Sequence, residues 1–345
     1  MRRGRRSGLF TMVAVHSTAR GPSLGGCRMW SYGDSRAAVA DALRLSRAMT
    51  FKAAVAGLPL GGGKGVIALR AGEPAPGPEQ RRAALLDFAD TVEMLDGRYI
   101  TAEDVGTSDA DMTVIAEGTA HVSGLASGSG DPSPWTALGV ETAIRVACER
   151  VWGTAALEDR SVSVIGLGRV GAKLAELLAR DGARLLVSDV DEDKRALAHS
   201  LGATWSDPHG ALTADVDVVA PCALGGLLDR ESVALLRCGV IAGAANNQLA
   251  EDDVADLLTA RGVLWAPDFV ANAGGIINIS VELEPEGYDP ERAEVRVRAI
   301  DDTLRAIFDE AEAAATSPLS AAMSLARRRL AEAGAPLPAA SPGGP

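Results

Sequence analysis

The stretch SVSVIGLGRVG, residues 161–171, decides the fold of this chain. An apolar run typical of a buried strand leads into a GxGxxG sequence, and helical periodicity begins directly after it. Asp189 follows Gly166 by 23 residues and ends the next predicted strand. This order of strand, glycine loop, helix and acidic residue is the fingerprint of a βαβ unit that binds a dinucleotide. A glycine set that only packs a helix against a strand is the alternative.

The glycines of this loop have separate predicted roles. Gly166 allows the tight turn, Gly168 lets the backbone approach a pyrophosphate, and Gly171 allows the helix to pack closely on the strand. The N-terminus of the helix then faces the diphosphate. The predicted cofactor-binding residues of the loop are Gly166, Leu167, Gly168, Arg169, Val170 and Gly171.

Asp189 carries the prediction of the cofactor type. Its carboxylate would accept hydrogen bonds from the ribose hydroxyls and repel a 2′-phosphate, which favours NAD over NADP. Lys194 and Arg195 lie close in sequence and could contact a phosphate, so NADP stays open.

Strands alternate with helices through the C-terminal part of the chain. Further strands are predicted at 183–188, 216–220, 239–242 and 263–266, and helices at 136–151, 172–180 and 291–315. This alternation predicts a parallel, doubly wound sheet. The N-terminal part is mixed, with strands predicted at 12–17 and 66–69 and helices at 35–49 and 79–95.

The run LASGSGDPSP, residues 125–134, has no periodic pattern and marks a domain boundary. We therefore predict an α/β chain of two domains with a cleft between them. The predicted parts are an α/β substrate and oligomerisation domain at 1–133 that a C-terminal helix at 316–334 completes, a Rossmann NAD-binding domain at 134–315, and a disordered tail at 335–345.

Composition limits the class of partner. The chain has 345 residues, 47% of them hydrophobic, and a formal net charge of −12. This charge argues against nucleic acid or an anionic membrane as partner. The arginines at positions 2, 3, 5 and 6 have no apolar run after them, so they predict a disordered or mis-started end rather than a signal peptide. No apolar stretch reaches the ~18 residues that span a bilayer.

The cysteines and histidines predict no metal site. The four cysteines lack CxxC spacing, and the four histidines form no HxxxH pair. Together with the absence of a secretion signal, this predicts reduced thiols in a cytoplasmic protein.

Two lysines twelve residues apart point to chemistry. Lys52 ends the run MTFK, and Lys64 follows three glycines that predict a turn. A lysine without bulky neighbours can approach a small substrate, and a second cation or burial would turn it into a base near neutral pH. A solvated lysine beside a glycine turn is the alternative.

Three polar residues occupy unusual positions. Asp104 lies in a segment that ends at Gly106, where a core would not favour a carboxylate. Asn246 follows a predicted strand and Asn272 lies where a helix begins, and asparagines at the strand ends of a doubly wound sheet face its ligand-binding edge, although a loop-capping role is the alternative for each.

These motifs together resemble the amino-acid dehydrogenase family that includes the leucine, valine, phenylalanine and glutamate enzymes. The resemblance covers about residues 13–334 and is closest to the leucine and valine enzymes. It rests on the fingerprint and on the runs GPSLGGCRM at 21–29, MTFK at 49–52, GGGK at 61–64, TAEDVG at 101–106, GAANN at 243–247 and FVANAGG at 269–275.

The resemblance implies a role for each site residue. Lys52 would bind the substrate α-carboxylate, Lys64 would activate water, and Asp104 would carry protons to and from the amino group. The implied cofactor contacts outside the glycine loop are Thr136, Ala220 and Asn246. The other implied substrate contacts are Met49, Leu24, Ala102, Ile276, Ile279 and Asn272. The implied reaction is reversible oxidative deamination of an L-amino acid to a 2-oxo acid, ammonium and NADH by a homo-oligomer.

The predicted pocket residues limit the range of expected substrates. Glutamate-specific relatives carry a lysine where this chain has Leu24, and a polar residue where it has Ile279. The pocket is therefore expected to be apolar and to take leucine, valine or isoleucine. Residues 66–69 and 267–270 look more like the phenylalanine enzymes, so phenylalanine stays open.

Two other functions are alternatives. A non-catalytic nucleotide-binding regulator would have no use for Lys52, Lys64 and Asp104. A hydroxy-acid dehydrogenase would need a histidine paired with a carboxylate, and none of the histidines lies near a motif in the sequence.

Overall fold

The computed structural model describes residues 1–72 and 74–334. The chain forms two compact units. The N-terminal unit comprises Met1–Asp131, Glu282–Tyr288 and the chain from Met323 onward, and the second unit comprises Pro132–Val281 and Asp289–Ala322. Residues 282–288, which the sequence placed in the dinucleotide-binding domain, thus belong with the N-terminal unit. The predicted disordered tail, 335–345, lies outside the described residues.

The N-terminal unit is built on a mixed sheet with strand order β1-β2-β4-β3-β5. Its strands among the described residues are β1 Arg2–Arg3, β2 Phe10–Ser17, β3 Ser23–Tyr32, β4 Gly61–Arg70 and β5 Tyr99–Glu103. Its first helices are α1 Ser35–Val55, α2 Pro78–Glu93 and α3 Asp109–Ala116. β3 is parallel to both β4 and β5, whereas β2 is antiparallel to β4.

Helices cover both faces of this sheet. On one face, Met12 and Val66 pack against Ala38 and Ala42 of α1. On the other face, Cys27, Met29 and Ile67 pack against residues of α2 and α3, including Phe88 and Ile115. Side chains alternate between the two faces along each strand, so the buried residues of one strand contribute to both cores.

The second unit is a six-stranded parallel sheet with strand order β11-β10-β9-β6-β7-β8. The described strands are β6 Ser161–Ile165, β7 Arg184–Ser188, β8 Thr204–Trp205, β9 Val218–Pro221, β10 Val240–Ile241 and β11 Leu264–Trp265. This is the doubly wound order in which the strand sequence reverses between β6 and β9, the point where such sheets bind ligands. The predicted parallel sheet is confirmed.

Helices connect and flank these strands. They are α4 Ser133–Trp152, α5 Arg169–Arg180, α6 Arg195–Ser200, α7 Pro208–Thr213, α8 Arg230–Leu235, α9 Val254–Ala260, α10 Asp268–Ala271, α11 Gly274–Glu282, α12 Pro290–Arg298 and α13 Ile300–Ala313. Helix α14, Pro318–Glu332, follows them.

The long helix predicted at 291–315 is two helices. α12 ends at Arg298, and α13 begins at Ile300 after Ala299. The sequence contains neither glycine nor proline at this point, so it gives no signal for a break. The packing of both helices against α4, with Ile300 in the core and close to Gly139, accompanies the break instead.

The glycine run before Lys64 is a buried strand rather than the predicted turn. Gly61, Gly62 and Gly63 begin β4 and pair with β2 and β3. A Cβ at Gly62 would lie 2.1 Å from the backbone nitrogen of Thr50, and one at Gly63 would lie 2.6 Å from the Tyr99 ring. Glycine is needed here because helix α1 and an aromatic ring approach the strand from opposite faces.

The first residues of the chain are ordered, contrary to the prediction of a disordered end. β1 pairs with β2, and the carboxylate of Asp87 on α2 accepts hydrogen bonds from the backbone N–H groups of Arg5, Arg6 and Ser7 at 2.8–3.2 Å. Asp90 accepts a further bond from the Arg6 guanidinium. Arg6 of the basic cluster is therefore paired with acidic residues more than eighty positions away, which local sequence cannot reveal.

We expect Gly62→Ala to lower the thermal unfolding midpoint, because the new methyl group meets helix backbone and overpacking costs about 1–3 kcal/mol. Gly33→Ala is the matched control, since a Cβ at Gly33 meets no atom within 4 Å. Differential scanning fluorimetry of both variants measures the difference. Equal midpoints would show that α1 can move away from β4 without cost.

We expect Asp87→Asn to accelerate amide hydrogen exchange in residues 5–7 at neutral pH. Burial alone would raise the pKa of Asp87, but hydrogen bonds from Ser7 and Arg6 outweigh it and lower that pKa. A lowered pKa in the folded state stabilises the fold above about pH 4 and ceases to do so as the pH falls through the folded value. Wild-type exchange in this segment should therefore approach that of the variant in acid. Asp90→Asn, which loses one bond from an arginine, is the control.

Candidate active site

One face of the N-terminal sheet gathers the predicted catalytic residues. The register pairs Leu24 of β3 with Gly62 of β4, and Gly26 of β3 with Ala102 of β5. Lys64 lies two residues from Gly62 and therefore points to the same face. Leu24, Lys64 and Ala102 are all buried. The structure thus brings together three residues, the first and last of which are 78 positions apart in the sequence.

Lys64 and Asp104 form a direct ion pair. The Nζ atom of Lys64 lies 2.7 Å from Oδ2 of Asp104, and the Lys64 side chain is only 5% exposed. Arg28 contacts the same oxygen, with its Nε 3.0 Å away. Two cations therefore share one oxygen of the carboxylate that directly follows β5.

The backbone around Asp104 is held on two sides. Its N–H donates to Oγ1 of Thr107, and that hydroxyl lies 2.8 Å from the carbonyl oxygen of Cys27. A Cβ at Gly26 would lie 2.5 Å from Cβ of Asp104, so glycine at position 26 lets Asp104 lie against β3. The glycine pair of the 21–29 motif is therefore explained by the approach of this carboxylate and of β4.

The charge state of Asp104 follows from these neighbours. Burial alone would raise the pKa of the carboxyl group, but Lys64 and then Arg28 outweigh burial, so the pKa of Asp104 lies below its usual range. The carboxylate is thus ionised at neutral pH.

The turn of α1 that carries Met49 and Lys52 lies over this face, because Thr50 approaches Gly62. Met49 and Lys52 are both half-buried. The hydroxyl of Thr50 lies 2.9 Å from Nδ1 of His16. The histidines are far from the motifs in the sequence, but in the folded protein His16 lies beside the glycine run, because β2 pairs with β4. The contacts described for His16 are Thr50, Phe51 and Arg47, and none of these is a carboxylate.

The glycine loop of the second unit has the geometry of a phosphate cradle. Gly166 has a φ of +100°, and a Cβ at Gly171 would lie 1.9 Å from the carbonyl oxygen of Gly166. These two positions require glycine for the fold itself. A Cβ at Gly168, by contrast, would meet no atom of the protein within 4 Å.

The rest of the loop fits a dinucleotide. Helix α5 begins at Arg169 without a side-chain cap from Gly168, which leaves its N-terminus suited to a phosphate. Leu167 is buried and Val170 half-buried. Asp189 accepts bonds from the N–H groups of Leu167, at 2.6 Å, and Asp191, at 2.9 Å, so its carboxylate lies at the mouth of the loop. A carboxylate has about four acceptor positions, so it can still accept from ribose hydroxyls.

A second polar group lies at the carboxyl ends of the neighbouring strands. Nδ2 of Asn272 donates to Oδ1 of Asn246 and to the carbonyl oxygen of Ala244. Oδ1 of Asn272 is buried and has no hydrogen-bond partner among the described residues. Such an acceptor suits a hydrogen-bond donor of a ligand, because an unsatisfied buried oxygen is costly. The donors and acceptors present therefore fit a nicotinamide dinucleotide.

Thr136 is close to this group. Glycines at 139, 274 and 275 let the start of α4 approach the start of α11, and a Cβ at Gly275 would lie 3.0 Å from Oγ1 of Thr136. Ala220 is buried in β9, whose end adjoins the glycine loop through the bond from Cys222 N to Ile165 O. Ile276 and Ile279 lie on α11 and are buried in this unit.

Arg28 is the site residue that the sequence reasoning missed. The sequence analysis includes Arg28 in the GPSLGGCRM motif but assigns it no role, although it contacts Asp104 directly. Its alternation with Gly26 and Leu24 along one strand was the available signal, but this depends on recognising residues 23–32 as a strand, and the glycines concealed that.

Among the described residues, no group of three or more His, Cys, Asp or Glu side chains could hold a metal ion. In the same part of the chain, no helix is long and apolar enough to cross a membrane.

The fold and the glycine loop define an α/β nucleotide-binding enzyme with a separate unit that carries a buried lysine–aspartate pair. The chain belongs to the glutamate/leucine/phenylalanine/valine dehydrogenase family: residues 1–121 match the family model described as "Glu/Leu/Phe/Val dehydrogenase, dimerisation domain", and residues 186–335 match "Glutamate/Leucine/Phenylalanine/Valine dehydrogenase". The resemblance inferred from the motifs is thus confirmed, as is the two-domain α/β fold. The protein is an oxidoreductase of the amino-acid dehydrogenase class, whose members use a nicotinamide cofactor.

Individual relatives are similar over most of the chain. It is 42% identical to leucine dehydrogenase of Geobacillus stearothermophilus, over 88% of this chain and 82% of that protein. It is 43% identical to valine dehydrogenase of Streptomyces albus, over 95% of this chain and 90% of that protein. The crystal structure of L-tryptophan dehydrogenase from Nostoc punctiforme aligns with a TM-score of 0.81 and 38% identity, over 95% of this chain and 94% of that one.

We expect Gly168→Ala to weaken NADH binding without lowering thermal stability. The new methyl group meets no protein atom, but it would crowd a pyrophosphate, at a cost of about 1–3 kcal/mol or about 5- to 150-fold in affinity. Gly166→Ala is the opposite case, because its positive φ makes alanine strained and should lower stability. NADH fluorescence titration and scanning fluorimetry separate the two effects. Unchanged affinity in Gly168→Ala would argue against a dinucleotide at this loop.

Proposed function

We propose that this protein catalyses the NAD-dependent oxidative deamination of an apolar L-amino acid, with leucine, valine and isoleucine as the preferred substrates. The products are the 2-oxo acid, ammonium and NADH, and the reaction is reversible. The observation that carries the proposal is the 2.7 Å contact between Lys64 and Asp104 on the buried face that Leu24 and Ala102 also form.

The chemistry needs a base and a nearby carboxylate. A bound nicotinamide ring supplies the acceptor for the hydride of the substrate Cα. Asp104 offers negative charge to the iminium group that the substrate then carries. Lys64, in its neutral form, takes the proton from the water molecule that attacks the imine carbon. Because Nζ and Oδ2 are in hydrogen-bond contact, a proton can pass between Lys64 and Asp104 while ammonium leaves.

The remaining roles are part of the same proposal. Lys52 binds the substrate α-carboxylate and Met49 borders it. Leu24 and Ala102 of the N-terminal unit are the proposed apolar contacts of the substrate there, and Ile276, Ile279 and Asn272 are the proposed substrate contacts of the second unit. Residues 166–171, Thr136, Asp189, Ala220 and Asn246 hold NAD. The orphaned oxygen of Asn272 and the open space at Gly168 support this assignment.

The substrate and cofactor choices have separate support. Leu24 is apolar and buried at the position where glutamate-specific relatives carry a lysine, so no cation from this position would meet a side-chain carboxylate. The position of Asp189 at the loop mouth favours NAD, because its charge would repel a 2′-phosphate.

We also propose the domain assignment and the assembly. The substrate and oligomerisation domain is residues 1–133 with residues 282–288 and the C-terminal helix, the NAD-binding domain is the rest of residues 134–315, and the enzyme is a cytoplasmic homo-oligomer. The match of residues 1–121 to a model described as a dimerisation domain supports the assembly. The four cysteines are all unbridged thiols, which supports a reducing compartment.

Reduction of NAD by the purified protein tests the proposal. NADH formation is measured with valine, leucine, isoleucine, phenylalanine, tryptophan and glutamate, each with NAD and with NADP. The expected result is the highest kcat/KM with an aliphatic substrate and NAD. One methylene contributes only about 1–3 kcal/mol of discrimination, so activity should spread over several apolar amino acids. A preference for an aromatic substrate or for NADP would replace the corresponding part of the proposal.

We expect Lys64→Ala to reduce turnover by about 10²–10⁴-fold or more, the usual contribution of a general base. NADH affinity should stay at the wild-type value, because the lysine lies on the N-terminal sheet. Lys173→Ala, which removes an exposed lysine paired with Glu176, is the matched control and should be fully active. Wild-type turnover in Lys64→Ala would exclude this lysine as the base.

A further inference from the structure

Arg28 lies between two carboxylates on the face of the sheet that carries Lys64. Its Nε donates to Asp104 Oδ2 at 3.0 Å, and its NH1 donates to Asp41 Oδ2 on α1, also at 3.0 Å. The side chains of these three residues are each only about one-fifth exposed, at 21%, 22% and 17% for Arg28, Asp104 and Asp41. The guanidinium therefore links the reacting carboxylate of the sheet to the helix that covers it.

The far end of this link is fixed as well. The hydroxyl of Tyr32 donates to Asp41 Oδ2 at 2.8 Å, and Arg44 donates to Oδ1 at 2.7 Å. Burial alone would raise the pKa of Asp41, but the bonds from Tyr32 and Arg44 and the charge of Arg28 lower it on balance. Asp41 is thus a fixed anion that holds the outer side of the Arg28 guanidinium.

The sharing of one oxygen between Arg28 and Lys64 has a chemical consequence. Arg28 remains charged at every pH of interest. It contacts the same carboxylate oxygen as Lys64, so Asp104 keeps a cationic partner when Lys64 acts as a base.

We propose that Arg28 is a positioning residue of the deamination reaction, which fixes the Asp104 carboxylate beside Lys64 and sets the pH at which the pair becomes active, with Asp41 as its anchor. This inference rests on the proposed function. Neither Arg28 nor Asp41 needs to touch the substrate for this role. Arg28 belongs to the 21–29 motif, whereas Asp41 lies on α1 outside every motif.

The charged and titratable groups around Asp104 determine the sign of the expected effects. They are Lys64 on β4, Arg28 and the buried thiol of Cys27 on β3, the buried hydroxyl of Tyr99 on β5, and Asp41 on α1, which acts through Arg28. Loss of a cation from such a cluster favours protonation of every member, and loss of an anion does the reverse. Removal of Arg28 and removal of the Asp41 charge should therefore shift the acid limb of the rate profile in opposite directions.

The first test compares Arg28→Gln with wild type in the oxidative direction over a range of pH. The expected result is a fall in kcat on the order of 10²-fold, the effect of misplacing a reacting group, and an acid limb of log kcat at higher pH. Arg28→Lys should recover part of the rate, because an ammonium keeps one contact but cannot join both carboxylates. Arg82→Gln breaks an exposed pair with Glu117 in the same unit and is the matched control.

Asp41→Asn is the second variant, and it decides the question if Arg28→Gln does not fold. It keeps the shape of the side chain and removes its charge, so the acid limb should move to lower pH. The proposal would be overturned if the acid limb of log kcat stayed at the same pH in the folded variants, or if it moved in the same direction in Arg28→Gln and Asp41→Asn. A purely structural role of Arg28 does not predict acid limbs that move in opposite directions in these two variants.

A measurement without turnover separates this inference from the proposed function. In protein labelled with ¹³C at the aspartate carboxyl carbons, the signal lost in Asp104→Asn identifies Asp104. Its titration should move to higher pH in Arg28→Gln and to lower pH in Asp41→Asn. These shifts without deamination of any amino acid would overturn the proposed function but keep the Arg28–Asp104 link. Deamination with an unshifted titration would overturn the role of Arg28.

Discussion

The N-terminal unit is organised around one buried cation. Lys64 lies in the middle of the sheet with its side chain almost fully excluded from solvent. A buried ammonium without a partner costs several kcal/mol, and removal of one partner of a buried pair costs about 3–5 kcal/mol. The fold therefore has to place the Asp104 carboxylate beside Lys64, and two neighbouring residues make this possible. Glycine at position 26 makes room for the aspartate, and Thr107 fixes its backbone.

The same constraint explains why β4 begins with three glycines. Lys64 can lie under α1 only if the strand before it lets the helix approach, and the close approach of Thr50 to Gly62 shows how little space remains. The glycines lower the intrinsic strand preference of this segment, but pairing with two neighbouring strands compensates for it. Local propensity and tertiary requirement conflict here, as is common at functional sites.

The two units use glycine for different purposes. In the second unit, Gly166 and Gly171 are required by the backbone of the loop, whereas nothing in the protein fills the space at Gly168. In the N-terminal unit, glycines bring protein elements together around a charge. The first pattern is local and recurs with a fixed spacing, so it can be read from a sequence. The second depends on elements far apart in the chain and has no fixed spacing.

The sequence by itself determined the parallel sheet, the dinucleotide loop and the family, because strands alternate with helices and the GxGxxG run stands in a complete βαβ context. It also singled out Lys64 by the glycine run before it and Asp104 by its position in the 101–106 segment, and the resemblance gave both their predicted roles. Only the tertiary structure decided that the glycine run is a strand, that the first residues pair with β2 and with Asp87, and that His16 lies beside Thr50. It alone revealed Arg28 between Asp104 and Asp41. The reason is physical: sheet register and the packing of α1 and α2 join residues that are 13 to 82 positions apart, and no periodicity within a short window encodes such contacts.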